Sequence, residues 1–198
     1  MTTNNDGAWK LITPPAIEPL TVEEVQQHLR IDGDAEYDLL AAYIRAAREA
    51  CEAETWRALI TQTWETALPG WPSERRIVLP KPPLQSVTWV KYVTEDGTEH
   101  TLDSDLYRVD SFAEPGLVIL RRDQSWPGET LDVGLPVRVR YVAGYGDVAA
   151  SVPTGLAQGM RMVIGHWYNV RETVNVGNIV NEVPLAAKWL WRLHALRY

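Results

Sequence analysis

Residues 137–153 read VRVRYVAGYGDVAASVP, and this stretch decides how the strand-rich and helical parts of the chain connect. Its first half alternates apolar and charged residues, Val-Arg-Val-Arg-Tyr, a period of two that predicts a strand with one buried face. Gly144 and Gly146 follow, and a helical period begins after Pro153. Glycine adopts positive φ without steric cost, and proline suits the start of a helix. We therefore predict a strand-to-helix corner in which Gly144 and Gly146 are structural turn residues.

Two other interpretations of the same stretch fail on their context. The letters AGYGD are close to the TVGYG signature of potassium-channel filters, but a filter lies between membrane helices of roughly 20 predominantly apolar residues. No window of this sequence approaches that composition, so no membrane association is expected. A phosphate-binding loop would end in lysine at a helix start, whereas Gly146 is followed by Asp147, which would repel phosphate.

Composition and charge limit the classes of function. The chain has 198 residues, of which 45% are hydrophobic, so it can bury a substantial core. Acidic residues outnumber basic ones by 26 to 19, and the resulting formal charge of -7 argues against free-standing affinity for nucleic acid. Cys51 is the single cysteine, and the N-terminus lacks the features of a signal peptide, so we expect synthesis in a reducing cytoplasm. Nine tryptophans suit a core, a subunit interface or both.

The periodicity predicts an α+β protein. A short helix begins at the capping box Thr21-Val-Glu-Glu24, and a long helix spans about 35–57. A second long helix begins at Thr154 and carries Trp167 on its core face, and Pro184 opens a short last helix. We thus expect a helical bundle, two long helices plus short N- and C-terminal helices, with an antiparallel β-rich insertion over residues 61–145. Its strands are predicted at 61–68, 75–80, 86–93, 106–110, 117–122 and 137–142.

No pattern in the sequence points to catalysis or to a cofactor. The acidic run at residues 32–36, DGDAE, fails the EF-hand pattern because its sixth position is Tyr37 instead of glycine. The four histidines, at 28, 100, 166 and 194, lie far apart without metal-ligand spacing, and no serine lies in a GxSxG elbow. Cys51 lies in an amphipathic helix, where an inert buried thiol is expected. We therefore assign no catalytic, cofactor-binding or metal-binding residue and do not expect an enzyme.

The last segment, residues 184–198, carries more apolar side chains than one face of a short helix needs. Trp189 and Trp191 are two residues apart and cannot share a helix face, so one can be core while the other meets a partner. Simple packing against the subunit's own helices is the alternative, and Gly155 and Gly159 indicate close helix packing nearby. The candidate partner interface comprises Leu185, Lys188, Trp189, Trp191, Arg192, Leu193, Leu196 and Arg197.

Five stretches, in chain order and covering most of residues 20–173, resemble one family. They read LTVEEVQQHLRIDGDAEYDLLAAYIRAAREACEAET, RALITQTWE, LPKPPLQSVTWVKYVTEDG, VRVRYVAGYGD and VPTGLAQGMRMVIGHWYNVRET. Together they resemble the head-to-tail connector, or adaptor, proteins of tailed phages and of phage-derived gene transfer agents. The final 26 residues match less well, so the resemblance assigns no portal contact residue by residue.

The resemblance implies a structural protein of the head-to-tail junction of a virion or virion-like particle. Residues 1–198 would form a single connector domain, with the β-rich insertion of residues 61–145 within it. Copies would assemble as a ring, expected to be a dodecamer, between the portal protein and a tail-side connector or stopper protein. DNA would pass through the ring without sequence-specific binding, which suits an acidic chain. The alternative is a small-molecule or glycan-binding module that uses exposed Trp residues of the β insertion.

Overall fold

The computed structural model of the chain describes residues 7–170 and 184–196, and these form two compact units. The β unit comprises residues 7–15 and 61–144. The helical unit comprises residues 16–60, 145–170 and 184–196. The protein is thus α+β, as predicted, and its sheets are antiparallel.

The helical unit begins with α1 (Val22–Leu29), which starts at the predicted capping box. The backbone N–H of Glu24 donates to the Thr21 hydroxyl at 3.2 Å, and the Thr21 N–H donates to the Glu24 carboxylate at 3.0 Å. These two bonds satisfy backbone donors that a helix start otherwise leaves unpaired. The helix ends at Arg30, whose backbone is left-handed with φ of 58°.

Two longer helices supply most of the core of this unit. Helix α2 (Tyr37–Thr55) and helix α3 (Thr154–Asn169) pack through buried apolar side chains, among them Ile44 of α2 and Met160 of α3. Trp167 corrects one expectation, because it is only half-buried at the margin of the core, with its ring centroid 6.0 Å from that of Tyr43. A last helix, α4 (Leu185–Arg192), contacts α3 and α2.

The β unit contains two antiparallel sheets. One has five strands in the order β1-β2-β8-β4-β5, and the other has three in the order β3-β7-β6. Strand β8 lies at the centre of the larger sheet, and its burial alternates as its sequence predicts. The strands are β1 (Ala8–Thr13), β2 (Gln62–Leu68), β3 (Arg76–Leu79), β4 (Leu84–Val93), β5 (Glu99–Thr101), β6 (Tyr107–Asp110), β7 (Gly116–Leu120) and β8 (Val137–Ala143).

Two of these strands were not predicted, and both lie at the edges of the five-stranded sheet. Strand β1 is exposed along almost its whole length, so its sequence lacks the alternation that a half-buried strand shows. Strand β5 has three residues, too few to give a period, and follows a turn at Gly97, where φ is +81°. Pairing with a neighbour, and not local pattern, makes these segments strands.

Candidate functional site

The corner at the end of β8 has the backbone geometry that its glycines favour. Gly144 has φ of +132° and Gly146 has φ of +155°, a region that side chains with a Cβ rarely enter. A Cβ placed on Gly146 would also lie 2.6 Å from the hydroxyl oxygen of Ser151. A short 3-10 turn, Ala149–Ser151, follows, and Pro153 precedes the first residue of α3. Both glycines therefore shape the chain here.

Helix α4 is fixed to the helical unit by one large side chain. Trp191 is 1% exposed, and its indole N–H donates to the carbonyl of Leu156 at 3.2 Å. The indole lies against Gly159 of α3, where an added Cβ would approach its nitrogen to 2.3 Å. The predicted close packing at Gly159 thus takes the form of a tryptophan seated on a glycine.

The residues after α4 extend this attachment. The carbonyl of His194 accepts a hydrogen bond from the Arg57 side chain, and the backbone N–H of Leu196 donates to the carbonyl of Thr55 at 3.3 Å. The imidazole of His194 lies near Gly155. The end of the described chain is therefore tied to the backbone of Thr55, at the end of α2, and to the side chain of Arg57 just after it.

Trp191 must be removed from the candidate partner interface. Its side chain fills space within the subunit's own core, so it presents no surface to a partner in this conformation. Leu196 is half-buried and is held by its backbone bond to Thr55. Arg197 lies outside the described residues. The remaining members of the predicted set lie on or next to the exposed side of α4.

Three large apolar side chains, two on α4 and one on the residue that follows it, face solvent in a single row. Leu185 is 80% exposed, Trp189 is 62% exposed and Leu193 is 60% exposed. They are spaced by four residues, which places them on one face of a helix. We call Leu185, Trp189 and Leu193 the α4 stripe. The sequence analysis placed this row in the candidate partner interface, and the opposite face of the helix, with Ala187 and Trp191, is the buried one.

Basic side chains accompany the stripe. The Arg192 guanidinium lies 3.4 Å from a carboxylate oxygen of Glu54, and Lys188 is half-buried. Both partners of the Arg192–Glu54 pair are substantially accessible to solvent, so the pair stabilises the fold little and can exchange partners. The exposed side of α4 therefore offers an apolar centre with positive charge beside it, a composition that suits a protein interface.

A buried ion-pair network lies elsewhere in the helical unit, and sequence reasoning missed it. The Arg48 guanidinium donates to Glu18 at 2.8 Å and to Glu52 at 2.9 Å, and Glu52 also accepts the backbone N–H of Leu59 at 2.9 Å. Burial alone would lower the pKa of Arg48, but its hydrogen bonds and charge interactions with Glu18 and Glu52 raise that pKa above its ordinary value. Each charge has a partner, so the network holds α2 to its neighbouring segments.

The single thiol, that of Cys51, also belongs to the structure of the helical unit and is not a reactive group. Cys51 is fully buried in α2, and burial, followed by the nearby charges of Glu52 and Glu54, raises the pKa of its thiol far above the usual range. A thiol that stays protonated is a poor nucleophile.

Within residues 7–170 and 184–196, no group of three or more His, Cys, Asp or Glu side chains could hold a metal ion. No helix in the same described ranges is long and apolar enough to cross a membrane.

The tryptophans of the strand-rich insertion contact their own neighbours. The rings of Trp71 and Trp126 stack with centroids 4.9 Å apart, and Trp89 is flanked by the cations of Lys91 and Arg140 at 5.1 and 4.8 Å. All three rings are at least partly buried. A glycan-binding face built from exposed tryptophans, the alternative function, therefore finds little support in residues 61–144.

Comparisons with known proteins point to one class, the neck proteins of phage-like particles. The model of the family described as phage gp6-like head-tail connector protein matches residues 19–90. A chain in the structure titled "Neck of empty GTA particle computed with C6 symmetry" is 26% identical, with a TM-score of 0.76 over 96% of this chain and 97% of that chain. Among curated proteins, none matches this sequence.

Two further structures come from the same kind of particle. A chain of the virion of a native gene transfer agent (GTA) particle is 25% identical, with a TM-score of 0.76 over 96% of each chain. A chain of the neck of a native GTA particle computed with C12 symmetry is 26% identical, with a TM-score of 0.70 over 96% of this chain and 97% of that chain. The resemblance to head-to-tail connectors that the sequence predicts is thereby confirmed.

Proposed function

We propose that this chain is a structural head-to-tail connector, which assembles as a ring beneath the portal and joins a DNA-filled capsid to its tail. The observation that carries the proposal is the similarity to a GTA neck chain along 96% of this chain, with a TM-score of 0.76. Similarity over both units supports the same architecture for the whole protein, with residues 1–198 acting as one connector that contains the β-rich insertion. The role needs binding surfaces and no catalytic group.

The ring is proposed to contain twelve copies. One similar chain belongs to a neck computed with C12 symmetry and another to a neck computed with C6 symmetry. A ring of twelve copies is compatible with both the C12 and the C6 symmetry, because a twelve-fold axis contains a six-fold axis. In such a ring DNA passes through a central channel, and an acidic protein with a formal charge of -7 has little tendency to grip phosphates. The ring would lie at the head-to-tail junction of the particle, after synthesis of the protein in the bacterial cytoplasm.

The α4 stripe is proposed as the surface that docks on the portal protein. An apolar row of Leu185, Trp189 and Leu193 is costly to leave in water, and a tryptophan at its centre is a frequent anchor in interfaces. Lys188 and Arg192 would then meet acidic groups at the rim of the contact. A tail-side connector or stopper protein would bind the opposite end of the ring.

Docking through the α4 stripe is tested with a variant that replaces the three stripe residues and leaves the core of the subunit unchanged. In a particle-producing system, Leu185→Ser, Trp189→Ser and Leu193→Ser are combined in one variant. A matched control carries Ile17→Ser and Val148→Ser, two apolar residues of the helical unit that are also exposed. Circular dichroism should show both variants folded.

The stripe variant should yield heads without tails, while the control yields complete particles. Electron microscopy counts both classes, and pull-down with the portal protein measures the contact directly. Normal assembly by the stripe variant would show that α4 does not dock, while the connector role would stand. A chain absent from the head-to-tail junction of purified particles would refute the connector role itself.

A further inference from the structure

The tip of the β6–β7 hairpin carries the most exposed large hydrophobic side chain among the described residues. Phe112, the only phenylalanine of the sequence, is 98% exposed. Its backbone is not loose, because the Asp110 carboxylate accepts the N–H groups of Phe112 and Ala113 at 3.1 and 3.2 Å. A backbone held in this way loses little conformational freedom when a partner covers the side chain that it carries. Phe112 therefore has the properties of a preformed anchor.

The opposite end of the same hairpin carries a preformed aromatic cleft. An open cleft of about 640 Å³ is lined by Tyr92, Leu106, Trp126 and Pro127, with polar residues of 124–129 around them. Trp126 is fixed in its wall, since it stacks on Trp71 and its indole N–H donates to the Glu74 carbonyl at 3.0 Å. Aromatic and proline surfaces of this kind accept a phenyl ring.

The anchor and the cleft cannot meet within one subunit. Leu106 directly precedes β6, and the tip follows β6, so the two features lie at the two ends of the strand pair. Four strand residues separate them by roughly 13 Å at 3.3 Å per residue. Two different surfaces of one subunit that fit each other produce head-to-tail contacts between copies, and such contacts close into a ring when the rotation between copies allows it.

We propose that neighbouring copies in the ring are joined through this hairpin, with Phe112 of one copy inserted into the Tyr92–Trp126 cleft of the next. The inference rests on the ring assembly proposed above, and it names the contact between subunits. It assigns the β unit to subunit–subunit contact and leaves the α4 stripe for a different protein.

Cysteine cross-linking tests the pairing directly. Phe112→Cys and Ser125→Cys place one thiol at the tip and one at the cleft, and both native side chains are exposed. The native Cys51 is buried and does not compete. The double variant, assembled in particles and treated with a short bismaleimide, should give a ladder of oligomers on a denaturing gel. Each single variant should stay monomeric, and a mixture of the two should stop at dimers.

The control pair joins Phe112→Cys to Val133→Cys, a second exposed loop position of the β unit, and should give no ladder. A dimer band from Phe112→Cys alone would mean a symmetric contact and would overturn the inference. Rings without any ladder from the Phe112–Ser125 pair would also overturn it, although the connector role would stand. Absence of rings in particles would refute the proposed function and the inference together.

Substitution without cross-linking provides a second measurement. Phe112→Ser should lower the fraction of subunits in rings about tenfold or more at a fixed concentration, whereas Phe112→Tyr should assemble normally. The fold is not at risk, because the native ring touches almost nothing in its own subunit. Equal ring yields for Phe112→Ser and the native protein would refute the contact, and another protein bound to Phe112 would appear as a cross-link to that protein.

Discussion

The contact between Gly159 of α3 and Trp191 of α4 predicts opposite effects of Gly159→Ala on stability. The substitution should destabilise the native protein and stabilise a variant that lacks the Trp191 indole. A Cβ at position 159 would lie 2.3 Å from the indole nitrogen of Trp191, 2.7 Å from Cδ1 and 3.1 Å from Cε2. The indole cannot move aside easily, since it is buried and donates to the Leu156 carbonyl. Gly159→Ala should therefore overpack the α3–α4 contact.

The expected magnitudes follow from this geometry. Forcing an extra methyl group into a packed core costs about 1 to 3 kcal/mol, more than the roughly 1 kcal/mol that alanine gains over glycine in helix propensity. Gly159→Ala should thus destabilise the native protein. Trp191→Ala should itself cost about 3 to 5 kcal/mol, because it empties a large buried site. In that background the obstacle is gone, and Gly159→Ala should stabilise by up to about 1 kcal/mol.

The assay is a double-mutant cycle measured by urea denaturation, with helix content followed by circular dichroism. The four proteins are the native chain, the two single variants and the double variant. A reversal of sign for Gly159→Ala between the two backgrounds would demonstrate the contact. If Gly159→Ala changed the unfolding free energy equally in both backgrounds, the indole would not lie on the glycine, and the seating of α4 described above would be wrong.

Three other predictions concern groups outside this contact. Glu52→Ala should cost about 1 to 3 kcal/mol because the buried Arg48 keeps Glu18 but loses its most buried partner, and the Leu59 N–H loses its acceptor, whereas Glu65→Ala, which breaks a more exposed pair, should cost less than about 1 kcal/mol in the same denaturation assay. The Cys51 thiol should not react with a thiol reagent at pH 8 until the protein is unfolded, because burial raises its pKa; rapid reaction in the native state would contradict this. The pKa of Asp96 is lowered to about 2 by hydrogen bonds, first from the Thr94 hydroxyl, so its contribution to stability is present above the ordinary value of 3.8 and is lost as pH falls through about 2. An NMR titration of that carboxyl with a midpoint near 4 would refute it.

The local sequence pattern was sufficient to predict a helix or a strand where the segment buries one face and leaves the other in water. The alternation of β8, the capping box of α1 and the helical period after Pro153 all correspond to elements that the structure contains. Edge strands gave no such signal. Strand β1 is exposed on both faces, so its pairing with β2, some 50 residues later, is decided by the rest of the sheet.

Side-chain roles that depend on distant residues were also beyond the sequence. Arg48 and Glu18 are 30 residues apart, and nothing in either local pattern selects this pairing from the other charged residues of the chain. Trp167 has core spacing on α3 but lies near the helix end, where fewer neighbours cover it. The pattern specified the position on the helix, and the extent of burial came from the tertiary surroundings.

The sequence of α4 shows which apolar residues share the stripe, but it does not show whether that face meets solvent or the core. Apolar residues occupy two faces, so periodicity alone does not say which face is buried. Gly159 decides it, because only a glycine leaves room for the Trp191 indole, and seating Trp191 turns Leu185, Trp189 and Leu193 outward. An isolated helix of eight residues is marginal in water, so the buried face must hold α4 in place before the other face can meet a partner. Attachment and docking therefore use different residues of one short helix, and a substitution at Trp191 should impair both while one at Trp189 should impair only docking.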